Sequence, residues 1–210
     1  MKKLTVLIIL SYAYNVAAQN TLTVDSAGAS SWSFRAAAHN YFFKGGDYIF
    51  SPVVAANHNW LHLEVRYNYE DIESLSLFGG YNFSTGNKLV LEITPMIGFA
   101  SGNSSGIIPA TELTLTYKDF ELYNECEYLF DIEDKSNNFF YTWSELNYYP
   151  LDWLYFGLAG ARTRLYQTDL EYQRGFSAGI SKGIFSATGY FLNWGFDEPY
   201  YLVTLSATIE

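Results

Sequence analysis

Few residues of this 210-residue chain carry groups that do covalent or proton-transfer chemistry. The histidines are His39, His58 and His62, and the single cysteine is Cys126. Nucleophilic catalysis needs a base beside a hydroxyl or thiol, and no serine or aspartate motif accompanies any of the three. His58 falls in an expected turn, His62 lies close to the same end, and His39 lies near the opposite end of its own segment, where it can face inward. One cysteine excludes an internal disulfide and a cysteine-based zinc cluster. Cys126 shares its parity with Leu122 and Tyr128, which reads as an inert apolar-facing thiol. No glycine-rich phosphate loop, Walker pattern or EF-hand spacing occurs. These residues name no catalytic group, no metal ligand and no cofactor.

The carboxylates and guanidiniums are more informative, because they recur on one parity. Glu92, Glu112, Glu121, Glu125, Glu127 and Glu145 are assigned to the polar face, and Arg66, Arg162 and Arg164 to the same face. If the chain turns tightly at Lys118-Asp119-Phe120, Glu112 comes roughly opposite Glu127. Like charges across strands repel, so such a pair recruits a cation or borrows an arginine from across the interior. Carboxylates alone prefer hard cations, and nothing here sets a ligand count. The candidate interior residues are therefore acidic Glu92, Glu112, Glu125 and Glu127, against basic Arg66, Arg162 and Arg164. Two arrangements fit them: an ion-pair network filling a closed interior, or a polar, water-filled passage.

The elements that must position these groups follow a period of two. Trp60 to Glu70 reads WLHLEVRYNYE, with Leu61, Leu63, Val65, Tyr67 and Tyr69 on one side and His62, Glu64, Arg66, Asn68 and Glu70 on the other. Successive strand side chains point to opposite faces, so each segment is an amphipathic strand. Lys88 to Phe99, Thr111 to Lys118 and Tyr201 to Ile209 repeat the pattern. Turn residues break the runs near Lys44–Asp47, Asn57–Asn59, Glu70–Glu73, Ser84–Asn87, Ser101–Gly106, Lys118–Phe120, Asp131–Asn138, Pro150–Asp152, Gln167–Glu171, Ser181–Gly183 and Gly195–Pro199. Eleven connections make twelve strands, with ten as the alternative. From Ser31 to Glu210 that leaves about 15 residues per unit, which suits a tilted membrane strand of about 9–11 residues and a short connection. The connections alternate between longer or more acidic ones (EDIE, SGNSSG, DIEDKSNN) and tight ones (STGN, KDF, PLD). Outer-membrane barrels pair short periplasmic turns with longer outer loops.

The N-terminus supplies an address. Met1-Lys2-Lys3, the apolar run Leu4 to Leu10 and the small residues Val16-Ala17-Ala18 have the layout of a secretory signal peptide. The expected division is a signal at 1–18, a loose leader at 19–30 and one barrel domain at 31–210. With Lys2 and Lys3 removed, 10 basic residues face 22 acidic ones, a net charge of −12. An acidic chain with a sequence pI near 4.7 excludes a nucleic-acid partner, which needs a basic footprint. The 19% aromatic content excludes disorder. Many of those aromatics (Trp60, Phe99, Tyr117, Phe120, Tyr148, Trp153, Tyr200, Tyr201) crowd the strand ends, where rings favour a membrane interface.

With the signal MKKLTVLIIL…VAAQ, the alternating strands and the terminal strand YYLVTLSATIE, nearly the whole chain resembles bacterial outer-membrane β-barrel proteins as a class. It departs from them in ending on Ile209-Glu210, where such chains often end on an aromatic that the barrel-assembly machinery reads. The resemblance implies an all-β fold: a closed antiparallel up-and-down transmembrane barrel in contact with outer-membrane lipid. It also implies a role in permeability, lipid chemistry, adhesion or envelope structure. The reading that fits best is a non-enzymatic small channel or structural envelope barrel with an acidic lumen, open to small polar or cationic solutes. Two rivals stand beside it: an outer-membrane lipid-modifying hydrolase, and a soluble periplasmic β-sandwich binding protein.

Overall fold

The computed structural model describes residues 31–165, 171–195 and 198–210. The signal and leader expected at 1–30 lie outside the described residues. The strands are β1 (Ser33–Phe43), β2 (Tyr48–His58), β3 (Leu61–Tyr67), β4 (Leu75–Tyr81), β5 (Phe83–Gly86), β6 (Leu89–Ser101), β7 (Gly106–Tyr117), β8 (Phe120–Asp131), β9 (Phe139–Leu151), β10 (Leu154–Leu165), β11 (Glu171–Lys182), β12 (Phe185–Leu192) and β13 (Tyr200–Ile209). Consecutive strands pair antiparallel, except that β4 and β5 both pair with β6, and β1 pairs with β13 from Phe34↔Ile209 to Phe43↔Tyr200. That last ladder closes the sheet into a barrel, so no edge is left to meet lipid.

Thirteen strands make twelve staves, because β4 and β5 are two halves of one. Both lie on β6 in the same register, with Gly80↔Met96 and Phe83↔Ile93. Between those pairings β6 carries Pro95, which has no N–H to donate to a ladder. Asn82 fills the break. Its backbone N–H donates to the Trp60 carbonyl at 2.7 Å, its Nδ2 donates to Asn57 Oδ1 at 2.8 Å, and its Oδ1 accepts from the Thr94 hydroxyl at 2.9 Å.

The two ends of the barrel differ as expected. At one end, His58↔Leu61, Tyr117↔Phe120, Leu151↔Leu154 and Lys182↔Phe185 enclose two-residue turns. Asn59, Lys118 and Gly183 take positive φ there, the conformation such hairpins require. At the other end the connections are longer, at 68–74, 102–105 and 132–138.

Alternation decides what each face meets. Leu63, Val65, Leu77, Ile97, Phe99, Leu158, Phe176, Ile180 and Leu205 are exposed on the outside, while His62, Glu64, Arg66, Ser76, Glu125, Glu127, Asn147 and Thr188 are buried inside. This inverts the pattern of a soluble domain and matches an apolar outer band around a polar interior. The inside is not purely polar. Phe78, Met96, Ile108, Leu129 and Phe139 form one buried cluster, and Trp143, Tyr190, Leu192, Tyr200 and Leu202 form another.

Candidate functional site

The interior is organised around Arg66. It sits on the inward parity of β3, level with Val53 of β2 and Ser76 of β4. Its Nε donates to Glu64 on the same strand, and its Nη1 donates to Glu125 at 2.6 Å and to Glu127 at 3.1 Å. Glu70 lies 3.6 Å and Glu112 3.9 Å from the same guanidinium. Tyr69 and Phe78 approach it with ring centroids at 4.6 and 4.4 Å. A planar guanidinium has several donors in its plane and stacks on rings through its faces, which is the arrangement here. Only 1% of Arg66 remains exposed.

Strands from both walls and a loop build this hub. Glu64 and Arg66 are i,i+2 neighbours on β3, and Glu125 and Glu127 are i,i+2 neighbours on β8, reaching in from the far wall. Tyr69 and Glu70 come from the 68–74 connection, which folds into the barrel. The Tyr69 hydroxyl donates to Glu125 Oε2 at 2.7 Å, and the Ser76 hydroxyl donates to Glu70. The hub therefore ties β3, β4, β8 and a long loop together across the lumen. Three side chains donate to Glu145: Trp143 Nε1 at 2.6 Å, the Tyr190 hydroxyl at 2.8 Å and Asn147 Nδ2 at 3.3 Å.

On the tight-turn side of the hub, Arg35 of β1 lies within electrostatic reach of Glu64, Glu112 and Tyr123. The barrel surrounds it, yet it stays exposed to solvent, so the lumen holds water-accessible space at that level. Glu112, Glu121 and Glu92 are half-buried there. The interior is thus open to solvent on the tight-turn side and narrowed at mid-height, where the Arg66 hub and the ring clusters are buried.

Glu92, Glu112, Glu125, Glu127 and Arg66 all lie on the inward parity, and the hub brings four of them together. Two expectations are corrected. Arg162 is exposed on the outer face, where its guanidinium stacks 4.9 Å from the Tyr172 ring and donates to the Tyr172 hydroxyl at 3.2 Å. It shares its parity with the exposed Phe156 and Leu158. Arg164 has that same outward backbone parity, and its side chain lies outside the described residues. The second correction is of register: the turn is the two residues Lys118 and Asp119, so Glu112 pairs with Glu125 and Ala110 with Glu127.

Arg35, Glu64 and Glu70 are further interior charges, beyond the candidates that the sequence offers. Glu64 was legible, since it shares Arg66's parity. Arg35 stands in FRAAAHNYFF, where alanines leave the inward side unmarked, and Glu70 belongs to a connection. His62 Nε2 lies 4.0 Å from Glu64 Oε2. His39 Nδ1 lies 2.9 Å from the Thr204 hydroxyl, His62 Nδ1 lies 2.8 Å from Asn57 Oδ1, and His58 stacks on Trp32 with centroids 4.8 Å apart. Among the described residues, no group of three or more histidine, cysteine or carboxylate side chains is placed to hold a metal.

No family model matches the chain, and no curated protein does. Solved structures do. The KdgM porin aligns with a TM-score of 0.59 at 12% identity, over 84% of this chain and 99% of that one. The NanC porin aligns with a TM-score of 0.58 at 11% identity, over 82% and 98%. The Acinetobacter baumannii outer membrane protein Omp33 aligns with a TM-score of 0.51 at 11% identity, over 85% and 98%. At such identities the likeness is one of fold: this chain is a closed, up-and-down antiparallel β-barrel of twelve staves, similar in fold to these structures.

Proposed function

We propose that this chain is a non-enzymatic, porin-like channel of the outer membrane whose acidic interior favours small cations over anions. The observation that carries this reading is the charge imbalance inside. Glu64, Glu70, Glu92, Glu112, Glu121, Glu125, Glu127 and Glu145 have inward positions, while Arg35 and Arg66 are the arginines facing them among the described residues. A low-dielectric wall focuses such a field and concentrates counter-ions. The likeness to porins supports the address, and the outward apolar band supports contact with outer-membrane lipid after insertion by the barrel-assembly machinery. The short turns then face the periplasm and the long loops face outward. One of the similar structures is the KdgM porin in complex with disordered oligogalacturonate. A polymer of acids is repelled by an acidic interior, so that ligand is not carried over.

Planar-bilayer recording of the purified protein tests this. The channel reading expects cation-selective current that falls with Glu112→Gln, since Glu112 borders the wet half. A second reading, a sealed structural barrel, is favoured by the burial of Arg66. It expects a silent wild type. Anion-selective current insensitive to substitution of Glu92, Glu112, Glu125 and Glu127 overturns both.

A further inference from the structure

We propose that the long-loop half of the barrel holds a binding site for a small organic cation of the methylated-ammonium type, an inference that rests on the acidic-interior reading. Above the Arg66 hub lies a cavity of about 250 Å³, and Tyr41, Phe43, Tyr69, Tyr141, Trp143 and Tyr200 supply its aromatic wall. The Tyr41 and Phe43 rings are 7° from parallel with centroids 6.2 Å apart, and Phe43 and Tyr200 lie 5.2 Å apart at 27°. These three rings from β1 and β13 form a nearly continuous wall. Tyr69 meets Tyr141 edge-on at 6.3 Å.

Ring faces are electron-rich and attract cations, most strongly where water is excluded. Among the described residues, no lysine, arginine or histidine lines this cavity, and one carboxylate, Asp71, does. Asp71 sits exposed at the mouth of the cavity, where it accepts from the Ile72 N–H at 2.8 Å and the Ser104 hydroxyl at 2.9 Å; these bonds hold it in place, and no cation is among the described lining residues. Beneath the cavity, Arg66 is already engaged by Glu64, Glu125 and Glu127, so the hub adds no net positive field. A hard metal ion needs several oxygen ligands in place of its water, and this lining offers one carboxylate, with Asn68, Thr163 and Gln173 as its other non-aromatic polar side chains. The volume falls below the range usual for drug-sized ligands, which limits the guest to a few heavy atoms.

Titration calorimetry on the detergent-solubilised full-length protein tests the site with choline and its uncharged isostere 3,3-dimethylbutan-1-ol. Choline should bind saturably, and the isostere at least about tenfold more weakly. Tyr41→Leu should weaken choline by about fivefold or more, while Tyr41→Phe, which keeps the ring face, should change it by less than about twofold. Asp71→Asn keeps an acceptor for Ile72 and Ser104, removes the charge, and should also weaken choline; it carries the test if Tyr41→Leu fails to fold, as judged by heat-dependent gel mobility. Equal binding of the isostere, no choline binding, or choline binding indifferent to Tyr41→Leu and Asp71→Asn overturns the site. The channel reading is scored separately, by potassium-over-chloride selectivity without choline. A selective current in a protein that ignores choline sinks the site alone. Choline binding in an anion-selective barrel sinks the channel reading alone.

Discussion

Arg66 is the residue on which the interior turns. Three carboxylates, Glu64, Glu125 and Glu127, are hydrogen-bonded to it and nearly as buried as it is. Removing one partner of a buried ion pair costs about 3–5 kcal/mol, because the other charges stay uncompensated. Arg66→Ala should therefore lower the temperature of the heat-induced gel shift markedly. Arg66→Lys should rescue only part of that, since an ammonium cannot present the in-plane fork or stack between Tyr69 and Phe78. Arg162→Ala should leave the transition almost unchanged, because an exposed contact contributes about 0–1 kcal/mol. Equal shifts for Arg66→Ala and Arg162→Ala would show that the hub is not the stabilising contact.

At the scale of the element, each strand separates a lipid face from an interior face one residue apart. Leu77 on β4 is exposed between the buried Ser76 and Phe78. Leu77→Arg should block insertion or lower stability by about 2–4 kcal/mol, the cost of a midplane arginine on a barrel's lipid face. Glu92→Gln on the interior side should still yield a folded barrel, as seen by its heat-modifiable band. The connections follow the same logic at their own ends. A tag at Lys135, in the 132–138 loop, should label on intact cells, and a tag at Asp152, in a tight turn, should not; the reverse result inverts the proposed topology. In that loop, Asp134 accepts the Ser136 N–H at 2.9 Å, and this bond holds its carboxyl below the usual aspartate range. Because the folded value is depressed, the loop's contribution is present above the ordinary aspartate pKa and is lost as pH falls through the folded value. The Ser136 amide resonance should titrate with a midpoint below that of a free aspartate.

For the whole molecule, closure is the fact with the widest consequences. A sheet with no edge and an apolar exterior is a membrane solute, so the protein should fractionate with outer membranes and resist release by osmotic shock. A mid-height narrowed by the hub predicts small conductance, and the proposed acidic interior predicts that cations carry it. Weakening the hub without removing a charge pair, as with Phe78→Ala, should raise the current while keeping its sign. If conductance falls instead, the constriction lies elsewhere.

Alternation along the chain determined the staves and their two faces, because a half-buried strand must repeat every second residue. WLHLEVRYNYE alone placed Glu64 and Arg66 side by side, and turn residues marked which end was tight. Register and reach belonged to the tertiary structure. The two-residue turn at Lys118-Asp119 set Glu112 against Glu125 rather than Glu127, a shift that no composition reveals. Arg162 lies outside because β10 continues beyond the apolar residues Phe156 and Leu158 through Gly160, towards the long-loop end, where an outward arginine meets water and a tyrosine face. The hub itself needed closure: Glu125 and Glu127 are 59 and 61 residues from Arg66 in sequence. They meet it only because the curved sheet returns to face itself across the lumen.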